Sequence, residues 1–411
     1  MLERHFGHLA LRSRSGASEY DKTYQNVLPG SVTADAQWVS LSAYLRTSPR
    51  RNLFHQNDVT GTVRTGRVRQ VWLAGWELNQ QVTNNLRQTG LFPNGSSTLR
   101  VPVANPVVWE RLTFARRPTD PFNQVRVLSA AIYWQDHVEL SPRWRIVGAL
   151  RVDRFRIVHL DRPTGQRLER VDYLWAPRLG LVWRWTPRAS WYASYSTTFL
   201  PSSGDQFGSL TEVTQQMKPE KFANYEAGLK WQPLARHAMT LTAYRLDRTN
   251  SRAIDPRDPS RILQTGASRA RGVELEWNGA LAHNLFMQAG YAWQDARIQR
   301  DTDQAPRGAR LAQVPRHQAS VWARWQPWRR LGLGLGLTGR TAMYAGIDNT
   351  VILPGYVRAD AAVYVGLSEQ ILLQFNMENL SDRRYFLNAH GNNNITPGSP
   401  RAVRAQLTIR F

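Results

Sequence analysis

Polar and apolar residues alternate one by one along the last eleven residues of the chain. The apolar positions are Val403, Ala405, Leu407, Ile409 and Phe411, and the polar positions between them are Arg404, Gln406, Thr408 and Arg410. Residues two apart in a strand share a face of the sheet. This segment therefore predicts a β-strand with one face against an apolar phase and the other in water.

The same period-two pattern recurs along most of the chain, and no comparable helical period is present. It predicts about sixteen strands, at residues 3–13, 36–65, 68–81, 123–137, 142–153, 178–186, 189–199, 223–232, 237–248, 270–279, 283–296, 313–326, 331–343, 356–366, 369–379 and 401–411. The pattern indicates an all-β, antiparallel fold.

The connections between these strands alternate between tight and long. Tight turns are predicted near 66, 141–142, 186–187, 232–236, 279–282, 327–330 and 366–369. Long loops are predicted at 14–35, 82–122, 157–172, 200–219, 249–267, 298–312, 344–355 and 380–400. This places all short turns at one end of the sheet and all long loops at the other, as in transmembrane β-barrels.

Hydropathy supports a barrel rather than a helical membrane protein. No run of 18 apolar residues occurs, which excludes a helical span, and the mean hydropathy is −0.47. Transmembrane barrels have such values because every second residue faces a wet lumen. We therefore predict that Val403, Ala405, Leu407, Ile409 and Phe411 face lipid and that the alternate polar residues face the lumen.

The net charge of +22 comes almost entirely from arginine, since only four of the 53 basic residues are lysine. A basic nucleic-acid-binding module is one alternative, but the arginines are dispersed along strands and form no block. They indicate either ordinary solvated faces or an electropositive surface for anionic ligands or lipopolysaccharide phosphates. We expect no nucleic-acid partner.

Enzyme chemistry has little support in the sequence. Cysteine is absent, which excludes disulfides and thiolate metal sites. There is no nucleophile elbow, no phosphate-binding loop and no closely spaced histidine cluster. We expect neither a catalytic site nor a protein-bound metal.

Five segments resemble TonB-dependent siderophore receptors, from about residue 56 to the end. They are Lys218–Lys230 (KPEKFANYEAGLK), Ser268–Glu276 (SRARGVELE), Glu378–Tyr385 (ENLSDRRY), Gly398–Arg401 before the terminal strand, and Tyr195–Pro201 (YSTTFLP). The resemblance implies a bacterial outer-membrane barrel that imports ferric siderophores with energy from the TonB complex. It implies no cofactor other than the iron of the ferric siderophore.

The chain departs from that family in its N-terminal part. The resemblance implies a signal peptide, a TonB-contacting box, a plug domain and 22 barrel strands, whereas we predict one domain over 1–411 with about sixteen strands and no plug. We interpret the chain as an N-terminally truncated barrel. We expect its first and last strands to leave an open edge or to close irregularly, and we expect the chain alone not to import a siderophore.

Candidate ligand-binding residues come from the arginine-rich and aromatic strand ends and loops of the predicted vestibule. They are Arg154, Arg156, Tyr195, Phe199, Phe207 and Arg245. Arginine and aromatic rings suit a bulky, anionic, aromatic chelate. Three motif features have structural interpretations instead: Glu274 and Glu276 pair with lumenal arginines, Asn379 and Asp382 shape a loop, and the glycines of 332–336 allow close approach.

A passive channel is the main alternative function. Porins also have about sixteen strands and basic lumens, and a stable anion-selective conductance of the refolded chain would favour that class.

Overall fold

A computed structural model of the chain describes residues 1–201, 215, 217–254, 262–301 and 305–410. Its strands are β1 Leu2–Phe6, β2 Leu9–Tyr20, β3 Thr23–Val32, β4 Trp38–Thr47, β5 Arg50–Thr65, β6 Val68–Leu91, β7 Thr98–Pro102, β8 Thr113–Ala115, β9 Phe122–Glu139, β10 Trp144–Asp161, β11 Arg167–Thr186, β12 Ala189–Leu200, β13 Glu220–Trp231, β14 His237–Ile254, β15 Ile262–Ala282, β16 Leu285–Ile298, β17 His317–Trp328, β18 Leu331–Arg340, β19 Met343–Tyr344, β20 Ile352–Leu353, β21 Tyr356–Gly366, β22 Ile371–Glu378, β23 Phe386–Gly391, β24 Asn394–Pro397 and β25 Ala402–Ile409. Among the described residues, no helix is long and apolar enough to cross a membrane.

Seventeen of these strands form one continuous antiparallel meander, which we call the wall. Each wall strand pairs with the wall strand before and after it in the chain, in the order β1, β2, β5, β6, β9, β10, β11, β12, β13, β14, β15, β16, β17, β18, β21, β22 and β25. The all-β antiparallel prediction is confirmed, and the strand number agrees with about sixteen, since β1 is a five-residue half strand.

The two ends of the wall differ as predicted. Tight turns join wall strands at one end, at residues 7–8, 66–67, 140–143, 187–188, 232–236, 283–284, 329–330 and 367–370. Longer connections lie at the opposite end, which we call the loop end. There β3 and β4 prolong β2 and β5 into a tall hairpin, and the short strands β7 and β8 pair with β4 and β6.

Several predicted loops are in fact strand. Most of 14–35 belongs to β2 and β3, β6 continues to Leu91, and the predicted loop 157–172 is reduced to a turn at 162–166. The physical reason is that the outer face of a barrel strand need not be apolar beyond the rows that face lipid. The apolar period then disappears from the sequence while the backbone ladder continues.

The predicted first strand, 3–13, is wrong. Residues 2–6 and 9–13 form two strands, paired from Phe6–Leu9 to Leu2–Ser13. Gly7 supplies the turn with a φ of 59°, a conformation that glycine adopts readily. The predicted single strand 36–65 is interrupted only at Ser48 and Pro49.

Register divides the wall into a polar face and an apolar face. In β25, Arg404 lies opposite Asn376 and Gln406 opposite Gln374, whereas Leu407 lies opposite Leu373. Arg404 also contacts Glu378 at 3.5 Å. The predicted alternation of this strand is confirmed through Ile409, and Phe411 lies outside the described residues. We assign the polar face to the inside of the wall, as in transmembrane barrels, whose interior is polar.

The wall is not closed between its first and last strands. In the described part of the chain, β1 pairs only with β2 and β25 only with β22. Both β1 and β25 run toward the tight-turn end, because an even number of reversals separates them. They could therefore meet only in parallel. At the loop end the two edges do approach, where Asn393 Nδ2 donates to the carbonyl oxygen of Gly30 at 3.2 Å.

Candidate functional site

The inner face carries a polar network on four neighbouring strands, β5, β6, β9 and β10. Arg151 donates to Asp153 at 2.8 Å and to Glu77 at 3.2 Å, and its guanidinium lies 5.6 Å from the ring centroid of Tyr133. The Tyr133 hydroxyl in turn donates to Asp58. This network presents a guanidinium, a phenol and several carboxylates to the lumen, all groups that can hydrogen-bond a polar ligand.

A second inner network lies on β12 to β16. The Tyr192 hydroxyl donates to Glu226 at 2.7 Å and lies 2.9 Å from the Thr242 hydroxyl. Tyr244 donates to Gln294 at 3.3 Å. Each phenol is held over a glycine of the adjoining strand, where an added Cβ would clash with the ring. The glycines thus fix the orientation of the tyrosines along the wall.

A third inner group lies near the open edge. The Arg324 guanidinium lies 4.5 Å from the Tyr364 ring centroid, and the Trp322 ring covers Gly334 and Gly336. The close approach predicted for the glycines of 332–336 is confirmed, and the approaching group is Trp322. Aromatic rings and guanidinium groups therefore alternate around the lumen, a surface suited to flat or anionic ligands.

Above these networks the inner face becomes apolar. A buried cluster contains Val125, Val127, Phe155, Ile157 and Leu174, with Leu168 and Phe199 packed against it. His159 lies beside this cluster on the same strand as Ile157 and is buried. Burial lowers the pKa of the His159 imidazole below its ordinary value, which Asp161 opposes. The neutral imidazole is therefore favoured at this site.

The structure places the predicted ligand residues mostly on the outer face. Arg154 and Arg156 lie on the face opposite the inner Arg151, Asp153 and Phe155, since residues alternate along β10. Arg156 is paired with Glu169 at 2.7 Å. Both side chains thus leave the strand on the outer face, away from Arg151 and Asp153.

Tyr195 and Arg245 also lie on the outer face, and the structure brings them together. Tyr195 contacts Tyr225 with ring centroids 5.0 Å apart, and Arg245 lies 5.7 Å from the same Tyr225 ring. Of the predicted residues, Phe199 packs against the inner apolar cluster. It lies beyond Ser196, where the pairing of β12 with β11 ends. Phe207 lies outside the described residues.

The sequence held a signal that would have found the inner residues. In β10 the apolar residues Ile146, Gly148, Leu150 and Val152 have even numbers, so parity assigns Arg151 and Asp153 to the lumen and Arg154 to the lipid side. Extending that parity across each strand also identifies Tyr133, Tyr192 and Tyr244. The prediction relied instead on proximity to predicted loops.

The Glu378–Tyr385 motif is a structural element, as predicted for its Asn and Asp. Asn379 is fully buried. Its amide donates to the carbonyl oxygens of Arg383 at 2.9 Å and Ser399 at 3.0 Å. Asp382 accepts from the Arg401 amide at 2.8 Å. The motif thus ties the last loop to the start of β25.

Glu274 and Glu276 lie on the inner face, opposite Thr242 and Thr240. Their predicted pairing with lumenal arginines does not occur: within the described ranges, neither carboxylate lies within 4.0 Å of a basic group. The register of β14 to β16 places threonine, alanine and glycine directly beside these two carboxylates, and no arginine.

The family profile described as "TonB dependent receptor-like, beta-barrel" matches residues 5–380. The chain belongs to the TonB-dependent receptor family. Members of this family are receptors and transporters of the bacterial outer membrane, which places this chain in that membrane.

Curated relatives agree with this assignment, and a solved structure shares the fold. The chain is 29% identical over 401 residues to the metal-pseudopaline receptor CntO of Pseudomonas aeruginosa, covering 93% of this chain and 54% of that protein. It is 26% identical over 433 residues to the probable TonB-dependent siderophore receptor PiuA of Acinetobacter baumannii, covering 96% and 56%. The crystal structure of the siderophore receptor PiuA superposes with a TM-score of 0.89, covering 100% of this chain and 63% of that one at 24% identity. This chain spans about half the length of the curated relatives it matches.

Proposed function

We propose that this chain forms the barrel part of an outer-membrane receptor that takes up a ferric siderophore with energy from the TonB complex. Family membership supports the receptor role, and the siderophore class rests on relatives whose names specify siderophore or metal-chelate receptors. A receptor and transporter role, without catalysis and without a resident cofactor, is part of the proposal. Iron enters it only as the metal of the chelate.

The observation that carries the proposal is the composition of the inner face. Arg151 with Tyr133, and Arg324 with Tyr364, each combine a guanidinium with an aromatic ring. Guanidinium groups bind the oxygens of an anionic chelate, and rings pack against its aromatic or apolar arms. Above them, the half-buried Phe199 supplies an apolar surface over the buried cluster that contains Phe155. We propose these inner residues as the ligand contacts, in place of the outward Arg154, Arg156, Tyr195 and Arg245.

Ligand binding tests this assignment. The refolded chain in detergent is titrated with ferrioxamine B and with a ferric catecholate, and quenching of its tryptophan fluorescence is recorded. We expect Arg151→Gln to weaken binding by about fivefold to tenfold, the loss expected for one charge-assisted contact of about 1 kcal/mol. Arg154→Gln is the matched control, since Arg154 lies three residues away on the outer face, and it should bind like the parent chain.

The opposite ranking of these two variants would contradict the inner-face assignment. A uniform anion-selective conductance in planar bilayers, with no quenching by either chelate, would favour the passive channel instead.

A further inference from the structure

A cluster of arginines interrupts the outer face of β14, β15 and β16 where the apolar rows end. Residues that pair across these strands form rows perpendicular to the strands. One row contains Leu241, Leu275 and Tyr291, and the next toward the loop end contains Ala243, Val273 and Trp293. The following rows are charged: Arg245, Arg271 and Asp295, then Asp247, Arg269 and Arg297. Since each row rises by about 7 Å along the strand, the change from apolar to charged is abrupt.

We propose that this outer cluster binds the phosphate groups of a phosphorylated lipid of the outer leaflet. The apolar rows fix the depth, because they face hydrocarbon in an outer-membrane barrel. The arginines of the next rows then lie at the level of the lipid headgroups. The proposal rests on the membrane placement and is independent of the siderophore proposal, since these side chains lie on the face away from the lumen.

The carboxylates of the cluster lie beneath its guanidinium groups. Asp247 pairs with Arg245 at 2.8 Å and with Arg269 at 2.5 Å. Asp295 pairs with Arg297 at 2.9 Å and with Arg271 at 3.5 Å. The side chains of Asp295 and Arg271 are 9% and 64% exposed. Each carboxylate therefore positions two arginines, and the surface presented to the surroundings is mainly guanidinium.

The cluster also has a concave shape and spare charge. Arg269, Arg271, Asp295, Arg297 and Gln299 line a cavity of about 310 Å³. Four arginines and two aspartates leave a net charge of about +2, with guanidinium N–H groups in excess of the carboxylate oxygens. A phosphate group carries the acceptor oxygens and the negative charge that this arrangement leaves unmatched.

The experiment compares lipids that differ only in phosphate. The full chain, refolded in a zwitterionic detergent, is titrated with diphosphorylated lipid A and with the same lipid after removal of both phosphates, and bound lipid is counted by native mass spectrometry. We expect the phosphorylated lipid to bind at least about tenfold more tightly, as for two charge-assisted contacts. Equal binding of the two lipids would overturn the proposal.

Variants with opposite signs locate the site. Arg271→Gln should weaken binding of the phosphorylated lipid by about threefold to tenfold, and Arg245→Gln provides a second test if the first variant fails to fold. Asp247→Asn should tighten lipid binding, because the amide oxygen can still accept from one of the two arginines while the net charge of the cluster becomes more positive. Arg236→Gln is the matched control: it lies in the tight turn before β14, at the other end of the same strand, and should change nothing.

Inorganic phosphate distinguishes lipid from free anion. We expect millimolar phosphate to leave the lipid complex largely intact, because the acyl chains add apolar contact below the cluster. If phosphate alone binds the parent chain with the same affinity and displaces the lipid, the assignment to a lipid is wrong. If the three cluster variants, Arg271→Gln, Arg245→Gln and Asp247→Asn, all bind lipid like the parent chain, the location is wrong.

Discussion

The two halves of the wall share one hydrogen-bonded ladder but differ in what the sequence reveals about them. Near the tight turns, rows such as Leu241, Leu275 and Tyr291 are apolar outside and polar inside. Nearer the loop end, Arg245, Arg271 and Asp295 occupy the outer face, and the inner face of β10 carries Phe155 and Ile157. The apolar face is thus outside in one half and inside in the other.

A period-two pattern therefore identifies a strand without always identifying its lipid-facing side. In the half of the wall near the tight turns, which we call the lower half, the alternation indicates both the strand and its lipid-facing side. In the upper half, nearer the loop end, the strands continue but their outer face no longer contacts lipid. The pattern of polar and apolar residues there reflects only local packing. To predict which face a residue of the upper half lies on, the odd or even numbering of the lipid-facing residues must be extended along the same strand. Arg151 and Arg154 of β10 are assigned to opposite faces in this way.

We expect the strongest effect from the two open edges of the wall, β1 and β25. Unpaired backbone groups in hydrocarbon cost several kcal/mol each, and β1 and β25 offer no antiparallel partner to each other. We expect this chain alone not to restore growth of a siderophore-receptor-deficient strain on a ferric siderophore. The ferrichrome transporter of Escherichia coli, supplied with ferrichrome, serves as the positive control. Growth rescue by this chain would contradict the expected effect of the open edges at β1 and β25.

A charge placed on the outer face should separate the two halves. Leu241→Arg should destabilise the refolded chain in phospholipid vesicles by about 2–4 kcal/mol, as expected near the bilayer midplane. Thr249→Arg lies on the same face of the same strand beyond the arginine rows, and should cost about 0–1 kcal/mol. The measurement is the free energy of unfolding in guanidinium. Similar losses for both variants would mean that the charged rows do not mark the edge of the hydrocarbon.

Loss of the buried Asn379 side chain should loosen the loop end without unfolding the lower half. Asn379→Ala removes two donated hydrogen bonds and one accepted from the Arg383 amide at 2.9 Å, a loss of about 2–3 kcal/mol at roughly 1 kcal/mol per bond. Hydrogen exchange should quicken over residues 379–401. The exposed Asn388→Ala is the control. Faster exchange throughout β21 and β22 would show that the motif stabilises the whole wall.

Acid should produce a smaller effect at His159. Burial lowers the pKa of His159 in the folded chain, so the unfolded chain binds the proton more readily. The stability of the folded chain therefore falls as the pH drops below the ordinary imidazole pKa of 6.5. His159→Gln should therefore lose less thermal stability than the parent chain between about pH 7.5 and about pH 5.5. His390→Gln, on exposed β23, should behave like the parent. An unchanged pH dependence in His159→Gln would refute a protonation cost at this site.

Much of the fold could be predicted from the sequence, because a wet lumen and a lipid exterior impose period two on each membrane-spanning strand. The tight turns near Gly66, Pro142 and Pro187 followed from breaks in that period. The hairpin at Gly7 was missed because, in so short a segment, a two-residue turn shows only as a change of the apolar positions from even at Phe6 to odd at Leu9 and Leu11. The site was harder still, because Arg151, Tyr133 and Glu77 come from different strands and meet only through register.

Cysteine accessibility along β14 tests which side chains face the lumen, which face lipid and where the lipid contact ends. The chain has no native cysteine, so each single variant reports one position. Cysteines are placed at Thr240, Leu241, Ala243, Tyr244, Arg245 and Thr249, and each variant is reacted in lipid vesicles with a membrane-impermeant thiol reagent. We expect positions 240 and 244 to react through the lumen, positions 241 and 243 to be protected by lipid, and positions 245 and 249 to react despite their outward direction. Reaction at 241 and 243 with protection at 240 and 244 would invert the faces, and uniform reaction at all six positions would show that this strand does not lie in the membrane.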